Sequence, residues 1–331
     1  MGEGERRVPA DRDGPRQQDE LAALRLARAA TGRRGLAVRR LGGGCANATL
    51  AVSFDRLAPV VVRIYERAPE VAATEAAVLA RAASACPVPG VLMADAAGHV
   101  MGRPALVLEH VDGVLASRVL AAADPDEALA VGRALGAALA PLGTIGFDRS
   151  GFFGGPELEP GGMVGNVDAQ LADAVNAALS GLGRDLDPDL TASWRALVAA
   201  TAPATDQLTG PALVHADFNP KNLLLRRGPD GWAVAAVLDW EFAFAGSPLA
   251  DLGNLQRFAH EQPPGYATAV GEGFAAAGGE LPTGWREAAA ALDVFALCDF
   301  IQRGPGAPFF AATVDIMRTA VTRGSLVLTD G

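Results

Sequence analysis

Residues 211–254 read PALVHADFNPKNLLLRRGPDGWAVAAVLDWEFAFAGSPLADLGN, an alternation of short apolar runs and polar breaks. Three of these apolar runs, at residues 212–214, 223–225 and 233–238, predict strands. The sequence GPDG at residues 228–231 predicts a tight turn between the second strand and the third. The stretch therefore predicts a strand, a loop, a second strand, a turn and a third strand.

Polar side chains stand where these predicted strands begin or end. Asp217 follows the first strand, Asn222 precedes the second and Asp239 follows the third, so we expect the three side chains to meet at one rim. Magnesium prefers oxygen ligands, usually one or two carboxylates with nucleotide phosphates completing the shell. Asn222 and Asp239 are therefore the predicted magnesium ligands, and Asp217 can accept the proton of an attacking hydroxyl.

The motif H-x-D-x4-N at residues 215–222, followed by L-D-W-E at 238–241, resembles the signature of aminoglycoside phosphotransferases and choline kinase-like small-molecule kinases. The sequence GSPxxDL at 246–252 also matches this family, and a weaker resemblance extends from about Leu41 to the C-terminal helices. Each residue alone would also fit a turn or a helix cap. The resemblance implies an α+β, protein kinase-like two-lobed fold, with a small antiparallel β-rich N-lobe and a larger, mainly helical C-lobe.

Two further residues of the motif have predicted supporting roles. His215 is expected to pack beneath the loop and to hydrogen-bond the backbone instead of acting as a base. Asp251 is expected to brace the catalytic loop.

The sequence GGGCAN at residues 42–47 predicts a glycine-rich turn between two strands, and such turns let backbone amides approach phosphate oxygens closely. In the resembled family a turn of this kind covers the nucleotide phosphates. The resemblance therefore implies nucleotide contacts from Gly43, Gly44, Cys45, Ala46 and Asn47.

The next predicted strand carries a positively charged side chain that can contact the nucleotide phosphates. Arg63 lies in the apolar run PVVVRIY at 59–65, and kinase-like folds place a cation there, paired with a helix glutamate. Glu75, in the predicted helix at 72–83, fits that partner. The alternative for Arg63 is a surface arginine on an edge strand.

The sequence EHVDG at residues 109–113 resembles the hinge between the lobes of this family. There the backbone C=O of Glu109 and N–H of Val111 would read the adenine edge of ATP. Because the backbone does the reading, GTP is not excluded.

The resemblance also implies limits for the parts of the chain, and the charged N-terminal residues, with little apolar content, predict disorder. The predicted limits are 1–18 for a disordered tail, 19–108 for the N-terminal nucleotide-binding lobe, 109–113 for the hinge and 114–331 for the C-terminal catalytic and substrate-binding lobe.

Lys221 is the only lysine in the chain, and it lies inside the predicted catalytic loop. A compact ammonium retained there predicts a catalytic role close to the transferring phosphate or the substrate. The alternative is a lysine that persists by chance on an exposed loop.

The C-terminal helices carry an excess of acidic residues, with nine carboxylates against five arginines from Asp251 onwards. In antibiotic-modifying relatives such carboxylates bind polycationic substrates. Asp293 and Asp299 are the predicted substrate contacts on this basis. Solvated helix faces are the alternative.

Composition and charge exclude several classes of protein. The net charge of -10 argues against a nucleic-acid binder, which needs a basic face. No run reaches the ~20 apolar residues that a membrane span needs, and the N-terminus lacks the apolar stretch of a signal peptide. We therefore expect a cytoplasmic protein that binds neither nucleic acid nor membranes, with a monomer and a homodimer both open.

Taken together, the sequence predicts an enzyme that moves the γ-phosphoryl group of ATP, with Mg²⁺, to a hydroxyl of a small molecule. The predicted acceptor is an antibiotic, aminoglycoside-like or another hydroxylated natural product. A housekeeping kinase of an amino alcohol, amino acid or sugar is one alternative, and a non-catalytic nucleotide-binding regulator on the same fold is another. A protein kinase is disfavoured because no A-P-E segment or activation loop follows Asp239.

Overall fold

The structure, a computed structural model, describes residues 14–41, 47–66, 69–161, 167–181, 186–208 and 210–329. The chain divides into two compact units. The first unit comprises Met1–Ala76 and Pro89–His110, and the second comprises Ala77–Val88 and Val111–Gly331. The predicted lobe limits themselves remain predictions.

The described residues of the first unit form an antiparallel five-stranded sheet in the order β1-β2-β3-β5-β4. Its central strand, VVVRIY, is rich in the β-branched residues that favour a pleated, buried surface. Up to residue 110 the elements are α1 (Gly14–Thr31), β1 (Ala37–Arg40), β2 (Asn47–Ser53), β3 (Val60–Tyr65), α2 (Pro69–Ala82), β4 (Val91–Asp95) and β5 (Ala105–Glu109).

Helix α1 covers one face of this sheet with small and branched apolar side chains. Ala22, Ala23, Leu26 and Ala27 recur at helical spacing and are buried against strand residues such as Leu50. The helix begins at Gly14 and not at Asp19, so the last part of the predicted disordered tail, residues 14–18, is helical. Residues 1–13 of that tail lie outside the described residues.

The second unit is mainly helical, and none of the described helices of the chain is long and apolar enough to cross a membrane. From residue 111 onwards the elements are β6 (Val114–Leu115), α3 (Ala116–Leu120), α4 (Pro125–Leu139), β7 (Gly151–Phe152), α5 (Val167–Ser180), α6 (Pro188–Thr201), β8 (Ala212–Val214), β9 (Leu223–Gly228), β10 (Gly231–Val237), β11 (Phe244–Gly246), α7 (Leu249–Gln256), α8 (Tyr266–Ala276), α9 (Trp285–Gln302) and α10 (Phe310–Arg323).

A hydrophobic core holds helices α5, α6, α9 and α10 together. Its buried members recur three or four residues apart, which places them on one face of each helix. They include Leu171, Val175, Trp194, Val198, Val294, Leu297 and Met317.

Strands β9 and β10 form the predicted hairpin, in which Gly228 pairs with Gly231 across the turn. Strand β6 adds to the other edge of β9, while β8 pairs with β11 in a separate small sheet. The N–H of Leu238 donates to the C=O of Asn222 over 2.8 Å. The residue before β9 and the residue after β10 are therefore neighbours, as the predicted rim requires.

Helices α4 and α8 pack closely because each has a glycine at the crossing. A Cβ atom on Gly136 of α4 would lie 2.0 Å from the C=O oxygen of Val270, and one on Gly273 of α8 would lie 2.0 Å from that of Arg133. Backbone therefore fills the space that a side chain would need on both helices.

Candidate active site

Asp217 lies in the loop between β8 and β9, and its carboxylate accepts hydrogen bonds from two side-chain amides of the same loop. Asn219 Nδ2 donates to Asp217 Oδ1 over 2.6 Å, and Asn222 Nδ2 donates to Asp217 Oδ2 over 2.7 Å. Asn222 Nδ2 also donates to the backbone C=O of Asp217 over 3.0 Å. Since both partners of Asn222 are acceptors, its NH2 group faces Asp217, and its Oδ1 points away, where it can bind a cation.

Burial raises the pKa of Asp217 to about 6, the hydrogen bond from Asn222 opposes this shift, and the negative charge of Asp239 adds to it. The structure thus brings together Asp217, Asn222 and Asp239, the three side chains that the sequence predicted at one rim. The ionised form of Asp217 is the one that can accept a proton.

Two residues of this site have backbones in the left-handed region, which non-glycine residues rarely adopt. Ala216 has a φ of 68° and Asp239 a φ of 67°. Conformations of this kind cost free energy and cluster at functional sites, where the surroundings hold them in place. Ala216 directly precedes the proposed base, Asp217, and Asp239 is itself a proposed metal ligand.

Asp251 holds the strained loop from below, as predicted. Its Oδ2 accepts the N–H of His215 over 2.7 Å and its Oδ1 accepts the N–H of Ala216 over 2.8 Å. The carboxyl lies in the first turn of α7 and is fully buried. Burial raises the pKa of Asp251 to about 7, although the two backbone hydrogen bonds oppose the shift.

His215 connects the two loops of the site, and its predicted packing and backbone hydrogen bonding are confirmed. Its Nδ1 accepts the N–H of Asp217 over 3.1 Å, and its Nε2 lies 2.8 Å from the C=O of Leu238. Nδ1 can accept only when it carries no proton, so the proton is on Nε2 and is donated to Leu238. The ring also packs edge-on against Trp240, with centroids 4.5 Å apart.

The Asp251→Asn variant tests this bracing. One carboxylate oxygen becomes an NH2 group that faces a backbone N–H, and a buried donor left unsatisfied costs roughly 1–3 kcal/mol. We expect the free energy of unfolding, measured by urea denaturation, to fall by that amount. Asp315→Asn, at an exposed acid of α10 paired with Arg318, is the matched control and should change it by less than roughly 0.5 kcal/mol. Equal losses in the two variants would contradict the bracing role.

The predicted pair in the first unit is formed. Arg63 Nε lies 3.5 Å from Glu75 Oε2, and Tyr65 donates its O–H to the same oxygen over 2.6 Å. Arg63 is only 8% exposed and Glu75 only 2%. Arg63 lies on the central strand, so the alternative of a surface arginine on an edge strand is wrong.

The other predicted nucleotide contacts are only partly described. Asn47 begins β2 and is buried. Glu109 ends β5, where its exposed side chain accepts the N–H of Gly90 over 3.3 Å, and Val111 begins the segment of the second unit that follows. The remaining four, Gly43, Gly44, Cys45 and Ala46, lie outside the described residues.

The predicted substrate contacts on α9 are both paired with arginine. Arg257 donates Nε to Asp293 Oδ2 over 2.8 Å and Nη2 to Oδ1 over 2.5 Å, in the interior of the unit. Asp299 is exposed and pairs with Arg303 one turn along the helix. A carboxylate that already neutralises a guanidinium offers little to a second cation. The buried Asp293 is therefore unsuited to contact an acceptor, whereas the exposed Asp299 remains a predicted contact.

The structure also identifies residues that sequence reasoning missed. Asn219 donates a hydrogen bond to Oδ1 of Asp217. The only sequence feature that points to Asn219 is the Asn-Pro turn signal at 219–220. The positive charge of Arg257 acts on Asp217, although 40 positions separate them and no sequence signal connects them. Lys221 is exposed, and its Nζ lies 4.3 Å from the centroid of the Phe309 ring. Its predicted place near the phosphate remains a prediction.

The sequence profile of the phosphotransferase enzyme family matches residues 37–291. No protein among those with curated functions matches the chain.

Three solved structures with similar folds are distant from this chain in sequence. Aminoglycoside phosphotransferase APH(4)-Ia, in a ternary complex with ADP and hygromycin B, is 16% identical, with a TM-score of 0.65 and coverage of 92% of this chain and 98% of that one. Macrolide 2'-phosphotransferase MphH from Brachybacterium faecium is 20% identical (TM-score 0.59, coverage 91% and 97%). The GDP complex of aminoglycoside 2'-phosphotransferase-IIIa is 15% identical (TM-score 0.70, coverage 92% and 99%).

At these identities the structures establish the fold, and the profile establishes the family. The predicted α+β, protein kinase-like fold is confirmed, with an antiparallel sheet in the first unit and a mainly helical second unit. The chain belongs to the phosphotransferase enzyme family.

Proposed function

We propose that this chain transfers the γ-phosphoryl group of a purine nucleoside triphosphate, ATP in the first instance, to a hydroxyl of a small molecule. The observation that carries the proposal is the cluster in which Asn219 and Asn222 orient the carboxylate of Asp217 beside Asp239. Solved relatives in complex with ADP, GDP and hygromycin B support a purine nucleotide donor and a hydroxylated natural product as acceptor. An antibiotic acceptor remains part of this proposal.

In the proposed reaction, Asp217 orients the acceptor hydroxyl and takes its proton. The acceptor oxygen forms a bond to the γ-phosphorus, and the bond from that phosphorus to the β–γ bridging oxygen breaks, so that ADP leaves with the electron pair. Arg63, held by Glu75, is the proposed phosphate ligand of the first unit. Asp251 and His215 keep the loop in the conformation that exposes Asp217.

The donor set fits magnesium. Asp239 supplies a carboxylate and Asn222 an amide oxygen turned away from Asp217, and the described residues contain no group of three or more His, Cys, Asp or Glu that could bind a metal alone. One or two protein oxygens with phosphates and waters completing the shell is how magnesium binds in kinases. When bound, it would neutralise negative charge on the phosphate oxygens.

The deciding experiment measures acceptor-dependent ADP release with magnesium-ATP over a panel of aminoglycosides, nucleosides, amino alcohols and sugars, with Asp217→Asn as the blank. Turnover that is lost in the variant would support the proposal. Nucleotide-dependent stabilisation of the fold without turnover of any acceptor would favour the non-catalytic regulator.

Metal dependence gives an independent prediction. We expect EDTA to abolish ADP release and excess magnesium to restore it. Loss of an outer-shell partner, which does not touch the metal, typically costs 10–100-fold in metal affinity. Because Asp239 is a proposed direct ligand, Asp239→Asn should raise the magnesium concentration for half-maximal rate by at least on the order of 100-fold. Asp230→Asn, at an exposed acid in the β9–β10 turn, should leave it unchanged. An unaltered magnesium requirement in Asp239→Asn would remove Asp239 from the metal site.

A further inference from the structure

An aromatic and cationic surface begins at the catalytic loop of the second unit. Lys221, which directly precedes Asn222, lies over the ring of Phe309, and the rings of Phe309 and Phe300 lie 5.1 Å apart between centroids. The guanidinium groups of Arg257 and Arg303 lie 5.1 Å and 5.7 Å from the Phe300 centroid. Arg257 is itself buried, so we give the name aromatic surface to the other four residues, Lys221, Phe300, Arg303 and Phe309.

One end of this surface belongs to the loop that carries the reacting group. Lys221 is four residues from Asp217 in the same loop. Its Nζ lies over the ring of Phe309. A molecule that lies against Phe309 is therefore next to the loop that carries the proposed base.

The charges of the surface disfavour a polycation. Its exposed charges are those of Lys221, Arg303 and Asp299, and Asp299 already pairs with Arg303. The remaining charge is that of Lys221 and is positive. Like charges brought together across an interface are repelled, whereas an ammonium over a ring tolerates an uncharged or anionic neighbour.

Phe309 has a conformation that marks it as a functional residue. It is 38% exposed and has a φ of 69°, in the region that favours glycine. A bulky residue with such a φ is a genuine outlier, and strain of this kind is retained at ligand sites. The chain thus keeps an exposed aromatic ring at a position where glycine would fit the backbone better.

The interior behind this surface is too small for a ring. The cavity lined by Arg257, Asp293 and the apolar residues of α9 and α10 has a volume of about 40 Å³, which is room for water and far below the size of an ordinary ligand pocket. This cavity therefore cannot hold a ring-bearing acceptor, whereas the outer face at Phe309 is open to solvent.

We propose that the acceptor of the phosphoryl group is a hydroxyl compound with a planar or apolar ring, uncharged or anionic and not polycationic, and that it binds with its ring on Phe309 and Phe300. This inference rests on the proposed function and narrows it to a substrate class. It also departs from the expectation that acidic C-terminal helices bind a polycation.

The test compares acceptors that share their hydroxyl groups. The probes are nitrophenyl glucoside, methyl glucoside, which lacks the planar ring, nitrophenyl glucuronide, which is anionic, and kanamycin, which is polycationic. We expect kcat/KM for both nitrophenyl compounds to exceed that for methyl glucoside by about tenfold, the scale of one aromatic contact. Kanamycin should be the poorest acceptor.

Phe309→Gly removes the ring and also relieves the strained backbone, which offsets part of the packing lost against Phe300. We expect it to raise KM for nitrophenyl glucoside about tenfold while KM for ATP and for methyl glucoside stays unchanged. Phe152→Ala, which removes a ring that is 64% exposed elsewhere in the same unit, is the control and should leave all these constants unchanged.

The outcomes separate this inference from the proposed function. Preferred turnover of kanamycin that is lost in Asp217→Asn, or an unchanged KM in Phe309→Gly, would overturn the inference and leave the function standing. If no acceptor turns over, the proposed function fails, and equilibrium dialysis decides the inference. Nitrophenyl glucoside should then bind the wild type more tightly than Phe309→Gly, and tighter binding of kanamycin would overturn it.

Discussion

Asp217→Asn should lower kcat for phosphorylation of the acceptor by on the order of 10²–10⁴, the usual contribution of a positioned general base. The amide keeps the shape of the side chain but cannot take the proton of the attacking hydroxyl. Because the reaction needs that proton to leave as the bond to phosphorus forms, KM for the nucleotide should change little while kcat falls.

Single-turnover measurements of ADP formation would separate this effect from slow product release. In the variant, one of the two oxygens of residue 217 becomes an NH2 group that faces the donor of either Asn219 or Asn222. Its fold therefore needs an independent check. We expect a loss of stability of about 1–3 kcal/mol and intact stabilisation by ATP. Asp230→Asn, in the exposed turn between β9 and β10, should keep the full rate. A rate in Asp217→Asn within tenfold of the wild type would show that another group accepts the proton.

Gly136→Ala should be among the most destabilising single-methyl changes in the second unit. In an exposed helix, alanine is more favourable than glycine by about 1 kcal/mol. Here the new Cβ would lie 2.0 Å from the backbone oxygen of Val270, and a backbone group of a packed helix cannot rotate away as a side chain can. Moving α4 away from α8 would open the contact along both helices, so we expect a net loss of at least roughly 1–3 kcal/mol, the usual cost of overpacking.

Gly143→Ala is the matched control for this prediction. It lies in the short 3-10 helix directly after α4, and its new Cβ would meet Pro248 at an ordinary distance of 3.6 Å. We expect the free energy of unfolding of this variant to stay within roughly 0.5 kcal/mol of the wild type. Gly273→Ala, on the facing helix, should reproduce the loss seen in Gly136→Ala. Similar stabilities of the Gly136 and Gly143 variants would contradict close packing at the crossing.

The local parts of the site were predictable from the sequence because strand ends and turns are encoded within a few residues. The hairpin around residues 228–231 and the positions of Asp217, Asn222 and Asp239 follow from short-range patterns. The pairing of Arg63 with Glu75 came from the family resemblance, since periodicity does not say which helix residue meets which strand.

The surroundings of the site were not predictable in this way. Asp293 pairs with Arg257 from 36 positions away, and a count of acidic residues on helices cannot distinguish this buried carboxyl from an exposed one. Lys221 meets Phe309 across 88 positions, between a loop and the start of a helix, and no pattern connects them. Contacts of this kind depend on how helices pack, which the apolar period of each helix leaves undetermined.

The two hydrogen bonds that join Asp251 to the loop determine when the site can form during synthesis of the chain. The N–H groups of His215 and Ala216 find their acceptor 36 and 35 positions later in the chain, so local contacts alone do not satisfy the left-handed turn before Asp217. A nascent chain that has not yet released α7 from the ribosome therefore has the residues of the reaction without their arrangement. Assembly of the site has to follow long-range folding, which is slow compared with the closure of a hairpin, so the loop is not braced in an incomplete chain until α7 can dock.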